Sequence, residues 1–461
     1  MRRSPAPRAA VLFAALALGG CSERAESRTE PAEAGRAAHA FESRGPEVDC
    51  AGCHPQHVAE WQISPHAYAM KDPVFIAMVS HGQKETEGEL GDFCVGCHSP
   101  IGTRTGQLPV TRNAASGLHE QPFGGIDRAA SDGVSCLVCH SMDSVIADSN
   151  AEFTLAEDGV RRATIRDPAP TTAHESEHSG LHEGSHVCGT CHTVINPKGV
   201  ALERTFIEWM QSQFNGAKEC QDCHMPAYRG RAASGGKERT VHEHRFVGVD
   251  VSLLPEDEFP GYHELREATV ALLQESAKLT VRHDAGAARL TVAIENLAGH
   301  ALPSGATADR ELWVEVMIRD ATGRVVLESG TLDERGDLRV RHAERTTRPG
   351  TDPELQLFTQ EMLHDPALEP GGGAGEPQLV DFLWEPNSER TTIIGVHETH
   401  EGGYSLAGLS PGRHTATVRL LFRSFPPHLL RKLEKVAGLD PAVQGRVPTV
   451  EMASETLDLS L

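Results

Sequence analysis

Five copies of the pentapeptide Cys-x-x-Cys-His constrain this 461-residue chain more than any other feature in it. They are Cys50-Ala-Gly-Cys53-His54, Cys94-Val-Gly-Cys97-His98, Cys136-Leu-Val-Cys139-His140, Cys188-Gly-Thr-Cys191-His192 and Cys220-Gln-Asp-Cys223-His224. Of the 11 cysteines only Cys21 lies outside these units. An odd cysteine count does not suit a disulfide framework. One such unit would suit a redox dithiol or half of a zinc site. Five units, each closed by His, point instead to covalent c-type haem. Two thiols three positions apart reach one edge of a porphyrin while the adjacent His reaches its iron. The expectation is five covalently bound c-type haems. Cys50, Cys53, Cys94, Cys97, Cys136, Cys139, Cys188, Cys191, Cys220 and Cys223 attach them, and His54, His98, His140, His192 and His224 are the proximal iron ligands.

This expectation explains an otherwise odd composition. Aromatic residues make up only 5% of the chain, against 44 Gly and 28 Pro. Five flat apolar rings can replace aromatic side chains as core, with short helices and loops around them. The same reasoning predicts that the motif region does not fold without haem. The formal charge of −22 makes nucleic acid a poor partner.

Residues 1–21 read as a targeting segment. Arg2, Arg3 and Arg8 form a positive start, and Ala9 to Leu18 an apolar run too short to span a membrane. Leu18-Gly19-Gly20-Cys21 resembles the lipobox of bacterial lipoproteins, which implies lipidation of Cys21 and placement in the bacterial cell envelope, facing the periplasm or exterior. Residues 22–45 read as a flexible tether, and residues 46–250 as a pentahaem cytochrome c domain of short helices and loops. Residues 251–277 form a connecting segment, in which Leu265, Ala268, Leu272 and Leu273 predict a helix over Glu264 to Lys278. Period-two strings follow in Lys278–Arg282, Arg289–Glu295, Glu311–Arg319 and Thr415–Arg423. They predict an antiparallel, sandwich-like all-β domain over 278–461 with no haem of its own.

The stretch from Cys50 through Trp61, Ser64, His66, Asp72 and Pro73 to Phe75 resembles the multihaem cytochrome c-554 family. Ser99-Pro100, Asp132-Gly133-Val134, Glu208-Trp209, Met225-Pro226 and His244-Arg245-Phe246 extend the likeness across residues 46–250. Five motifs depart from the tetrahaem member, so the haem arrangement is extended or rewired. The chain has 25 His. On the resemblance His66 is the foremost distal iron ligand. His174 follows, in a run with His178, His182 and His186 where spacing does not separate it from His182. His242 and His244 point to opposite sides of an extended segment. His300 lies in a Gly-His-x-Leu-Pro loop of the kind related multihaem proteins share. His81 and His119 are reserves, and His397 and His400 read as surface residues. Met70, Met78 and Met225 read as packing rather than axial ligands.

The leading expectation is electron transfer by a lipid-anchored carrier with mainly bis-His haems, whose partners are other redox proteins. The alternative is a multihaem oxidoreductase acting on a small nitrogen or sulfur compound at one open haem. No motif replaces its His by Lys, as the pentahaem nitrite reductases do. A third class, a filament or assembly subunit, rests on the haem-free C-terminal part.

Overall fold

The computed structural model describes Phe41 and residues 43–339, 352–380 and 382–461. Cys21 and the targeting segment lie outside the described residues, as does most of the tether. No helix among the described residues is long and apolar enough to cross a membrane.

The part that carries the motifs is built from short helices. Those used below are α1 (Pro55–Gln62), α2 (Pro73–Glu85), α3 (Val95–His98), α4 (Cys136–Ser141), α5 (His186–Gly189), α6 (Thr205–Met210) and α7 (Cys220–His224). Proline opens α1 and α2, where its missing N–H is not needed. Asp72 caps α2, its carboxylate accepting from Val74 N–H at 2.8 Å and Phe75 N–H at 3.4 Å. Three motifs end within a helix, which brings both thiols and the His to one side, and the fourth starts at the end of α5. Most of these helices are too short to persist without tertiary support, and their apolar clusters are small.

After α8 (Tyr262–Glu275) the chain turns to strands. The helix begins two residues before the predicted start and ends at Glu275, because Ala277 already enters β1 (Ala277–Asp284). Strands β1, β2 (Arg289–Asn296) and β6 (Thr399–Ser405) form one antiparallel sheet. A second contains β3 (Glu311–Asp320), β4 (Val325–Ser329), β5 (Leu357–Phe358), β7 (Arg413–Arg423) and β8 (Val450–Ser460). Leu290, Val292 and Ile294 of the first sheet share one apolar cluster with Val314, Val316, Ile318, Ala416, Val418 and Leu420 of the second. Period-two burial thus joins the two sheets. The opposite face of β3 is also covered: Trp313 packs with Leu338 and Leu421 and donates to Gly330 O at 3.0 Å. That is why β3 reads as a nearly unbroken buried run.

Among the contacts that tie the strand-rich part to the motif-bearing part, two bear on the sites below. Helix α9 (Pro427–Ala437) sets Leu430 and Leu433 against Val74 and Ala77 of α2. The loop from Asn296 to Gly305 lies against α6, where Ala301 N–H and Ser304 Oγ both donate to Glu208.

Candidate haem sites

All ten described cysteines are unpaired thiols. Sequence-distant motifs meet at them. The thiol of Cys50 hydrogen-bonds with that of Cys136, Cys97 with Cys191, and Cys188 with Cys220. Cys139 lies close enough to Cys188 and Cys191 to act on them electrostatically. The five attachment points therefore form one connected group.

Each motif His presents the same nitrogen. Nδ1 of His54 faces Ala232 O at 2.5 Å, His98 faces Ala69 O at 3.0 Å, and His140 faces Arg162 O at 2.7 Å. Nδ1 of His192 faces Glu203 Oε1 at 2.9 Å, and that of His224 faces Val247 O at 2.8 Å. Carbonyl and carboxylate oxygens only accept, so Nδ1 carries the proton and Nε2 keeps its lone pair for a metal. This is the arrangement that fixes the tautomer of a metal-bound imidazole. Burial holds His140 down to about 3 and His66 down to about 3, so both rings are neutral. Burial opposes charge on His192 too, but Glu203 outweighs it and raises the ring to about 9. Glu203 is a residue the sequence did not mark; a carboxylate eleven positions after a motif His carries no local signal.

The second histidines fall into place around these rings. One iron held by two imidazoles separates the ring centres by about 6 Å, each nitrogen lying about 2 Å from the metal. His174 lies 6.2 Å from His54, with ring planes 21° apart. His66 lies 6.4 Å from His192, and His300 lies 6.4 Å from His224 at 13°. His244 lies 6.3 Å from His140 at 23°, its Nδ1 donating to His242 O at 2.8 Å. His182 is also 6.1 Å from His140, but its Nε2 is held by Cys139 O at 2.7 Å, within the attachment motif itself. His242 donates Nδ1–H to Met225 O and stands beside no motif ring among the described residues. His66, His98, His140, His224 and His300 lie deep in the molecule yet keep accessible surface, as rings lining an internal slot do. The donor set, tautomers and ring spacing all fit haem.

His98 differs from the other four. Among the described residues no second His ring pairs with it at about 6 Å, although His66 and His192 act on it electrostatically; the ring of Phe75 stacks on it at 3.8 Å and 4°. Phe75 is on the first turn of α2, so the cap at Asp72 and the packing of α9 set its position. Burial, with Asp250 close by, pushes the Asp72 carboxyl from 3.8 up to about 7. Between those values the folded state binds more protons than the unfolded one, so Asp72 lowers stability as pH rises from about 4 to about 7. Asp72→Asn retains the cap and is expected to flatten that decline, read as the urea midpoint at pH 4.5 and 7.5. An unchanged slope would show that Asp72 is not the group responsible.

Of the remaining histidines, His81 is buried beside Phe382 and Glu85, far from any motif ring in the contacts it makes. His400 is half-buried against Phe358 and Gln356, rather than a surface residue, because β6 carries it under the second sheet's edge; His397 is exposed. Met70 is buried with Val95 and Leu108 and serves as packing.

The motifs and the fold define a multihaem c-type cytochrome with a strand-rich C-terminal part. The family model of cytochrome c552 matches residues 62–213, a segment that contains the second, third and fourth motifs. The penta-heme cytochrome c552 from Thermochromatium tepidum has the same fold, with a TM-score of 0.60 and 21% identity over 91% of this chain and 99% of that one. No curated protein matches the sequence.

Proposed function

We propose that this chain is a pentahaem electron carrier in which His174, His244, His66 and His300 complete the iron sites of His54, His140, His192 and His224. The observation that carries this reading is the recurrence of one ring spacing, from 6.2 to 6.4 Å, in four separate pairs. His244 is preferred to His182 because its Nε2 is free while that of His182 is committed to Cys139 O. When bound, the haems supply one-electron carriers at closely spaced attachment points. The chain's own residues do the rest: ten thiols fix the ring edges, nine imidazoles fill axial positions, and four backbone carbonyls with the Glu203 carboxylate hold the proximal tautomers. On this reading residues 46–250 hold the haems and 251–277 connect. The two sheets of 278–461 form a sandwich whose loop lends His300 to the fifth site. Cys21, exported and lipidated, keeps the carrier at a membrane surface in the cell envelope.

The charge of −22 favours transient docking of basic redox proteins. The second-order rate of reduction by such a partner is expected to fall severalfold between low and physiological salt. Stopped-flow rates that ignore ionic strength would remove this partner class.

A second reading is favoured by one specific observation: the ring contact of His98 is the face of Phe75 at 3.8 Å, and not a His ring at the spacing of the other four pairs. Among the described residues no His ring pairs with His98 at the spacing of the other four, which makes that site the candidate for binding a small nitrogen or sulfur compound. The test is a low-temperature EPR spectrum of the oxidised holoprotein, repeated with cyanide, nitrite and hydroxylamine. Four low-spin signals with one high-spin signal that shifts on ligand addition support four closed sites and an open one at His98. Five low-spin signals indifferent to ligand leave a carrier only. More than one high-spin haem would sink the proposed pairings.

A further inference from the structure

The fifth site, as read above, depends on a ligand from outside the motif-bearing part, and something must hold His300 against His224. We propose that Glu208 is the positioning residue for His300: it grips the N–H of Ala301, and the carbonyl of that same residue orients the imidazole. This inference rests on the reading that His300 is an iron ligand.

The chain of contacts is continuous. Glu208 is on α6, the helix that follows the fourth motif, and is buried with only 9% of its surface exposed. Its Oε2 accepts from Ala301 N–H at 3.1 Å and from Ser304 Oγ at 2.7 Å. The carbonyl of the same Ala301 accepts from His300 Nδ1–H at 3.1 Å, which leaves Nε2 facing His224. Ala301 N–H lies in the His300–Ala301 peptide plane, whose own oxygen is His300 O; holding that plane places the Ala301 residue, whose carbonyl sets the ring's rotation and tautomer. From the other side Asn296 Nδ2 donates to His300 O at 2.8 Å and to Gly395 O at 3.0 Å. Thr205 Oγ1, also on α6, accepts from Gly305 N–H at 3.0 Å. The loop is therefore clamped at both ends, and Glu208 is the clamp from the motif-bearing part that reaches Ala301, while Thr205 holds the loop's far end. A neighbouring acid such as Glu203 does not serve, since it is engaged with His192. A buried acceptor of two bonds tolerates neither loss of its oxygens nor their withdrawal.

The test uses the full-length holoprotein and the high-spin EPR signal of the oxidised state, with optical cyanide titration alongside. His300→Ala is expected to convert one low-spin haem, roughly doubling the high-spin signal if His98 supplies the first. Glu208→Ala should convert the same haem wholly or partly, while Glu208→Gln, whose amide oxygen can accept both bonds, should stay near wild type. Glu208→Asp, which draws the carboxylate back by about one bond length, should show partial conversion and serves if the Ala variant does not fold. A spectrum of His300→Ala identical to wild type would overturn the ligand reading and this inference with it. Conversion in His300→Ala but none in Glu208→Ala or Glu208→Asp would overturn the role of Glu208 alone. Glu208→Gln behaving as Glu208→Ala would also overturn it, by showing that charge rather than acceptance matters.

Discussion

A preparation of this chain made without haem is expected to lose native structure over the motif region while keeping a cooperative β-type transition from its C-terminal part. The helices at the motifs, α3, α4, α5 and α7, have four to six residues each. Helices of that length do not form alone in water. The apolar clusters around them consist of a few side chains apiece, such as Met70, Val95 and Leu108, or Tyr68, Phe259 and Leu265. The imidazoles of His66 and His140 lie deep in the molecule and are neutral, and without a metal their Nε2 atoms are polar groups short of a partner. The C-terminal sheets, by contrast, bury alternate residues of Leu290 to Ile294, Leu312 to Ile318 and Ala416 to Phe422 in one continuous core. Far-UV circular dichroism and limited proteolysis of the haem-free chain check this directly. Full protection of residues 46–250 without haem would show that the polypeptide makes its own core.

Arg423→Met is expected to destabilise the C-terminal part by about 3–5 kcal/mol, the usual cost of stranding one half of a buried ion pair. Arg423 and Glu311 face each other in register across β3 and β7, and both are almost fully buried. The guanidinium donates to Glu311 and to Gly336 O at 2.6 Å and lies 5.2 Å from the Trp313 ring centre. Removing it leaves a carboxylate in a low-dielectric site with no partner of opposite charge. A fall in midpoint temperature of about 10 °C follows for a unit of this size. The double change with Glu311→Met should recover much of the loss, because two apolar residues replace a desolvated pair. Urea melts of both variants decide the matter. A single variant that loses under about 1 kcal/mol would mean water reaches the pair. The neighbouring pair Glu315–Arg419 is more exposed at its arginine and should cost less to break.

What the sequence determined by itself is the chemistry that short range can encode. Two thiols and an imidazole must meet one ring, so their spacing is written within five residues and needs no tertiary information. The strands were legible for the same reason. Alternation in Arg289–Glu295 and Thr415–Arg423 is a local consequence of one buried face, and β2 and β7 follow it. Even β3, buried on both sides, kept enough apolar residues to read as a strand.

The second ligands are another matter, since an imidazole offered from far along the chain has no neighbour in sequence to mark it. His174 and His182 share one run, yet the first stands beside His54 and the second is tied to the backbone of the third motif. His242 and His244 differ by two residues, and only one meets a motif ring. Phe75 was visible as part of a familiar string but not as the ring that stacks on His98. Glu203 and Glu208 sit on neighbouring elements a few residues apart, and one serves His192 while the other grips the loop of His300. These roles depend on which surfaces the fold presses together, and that is decided by packing of α2 on α9 and of α6 on a strand-rich part nearly a hundred residues away. Local chemistry sets where a haem attaches; only long-range packing sets what faces it.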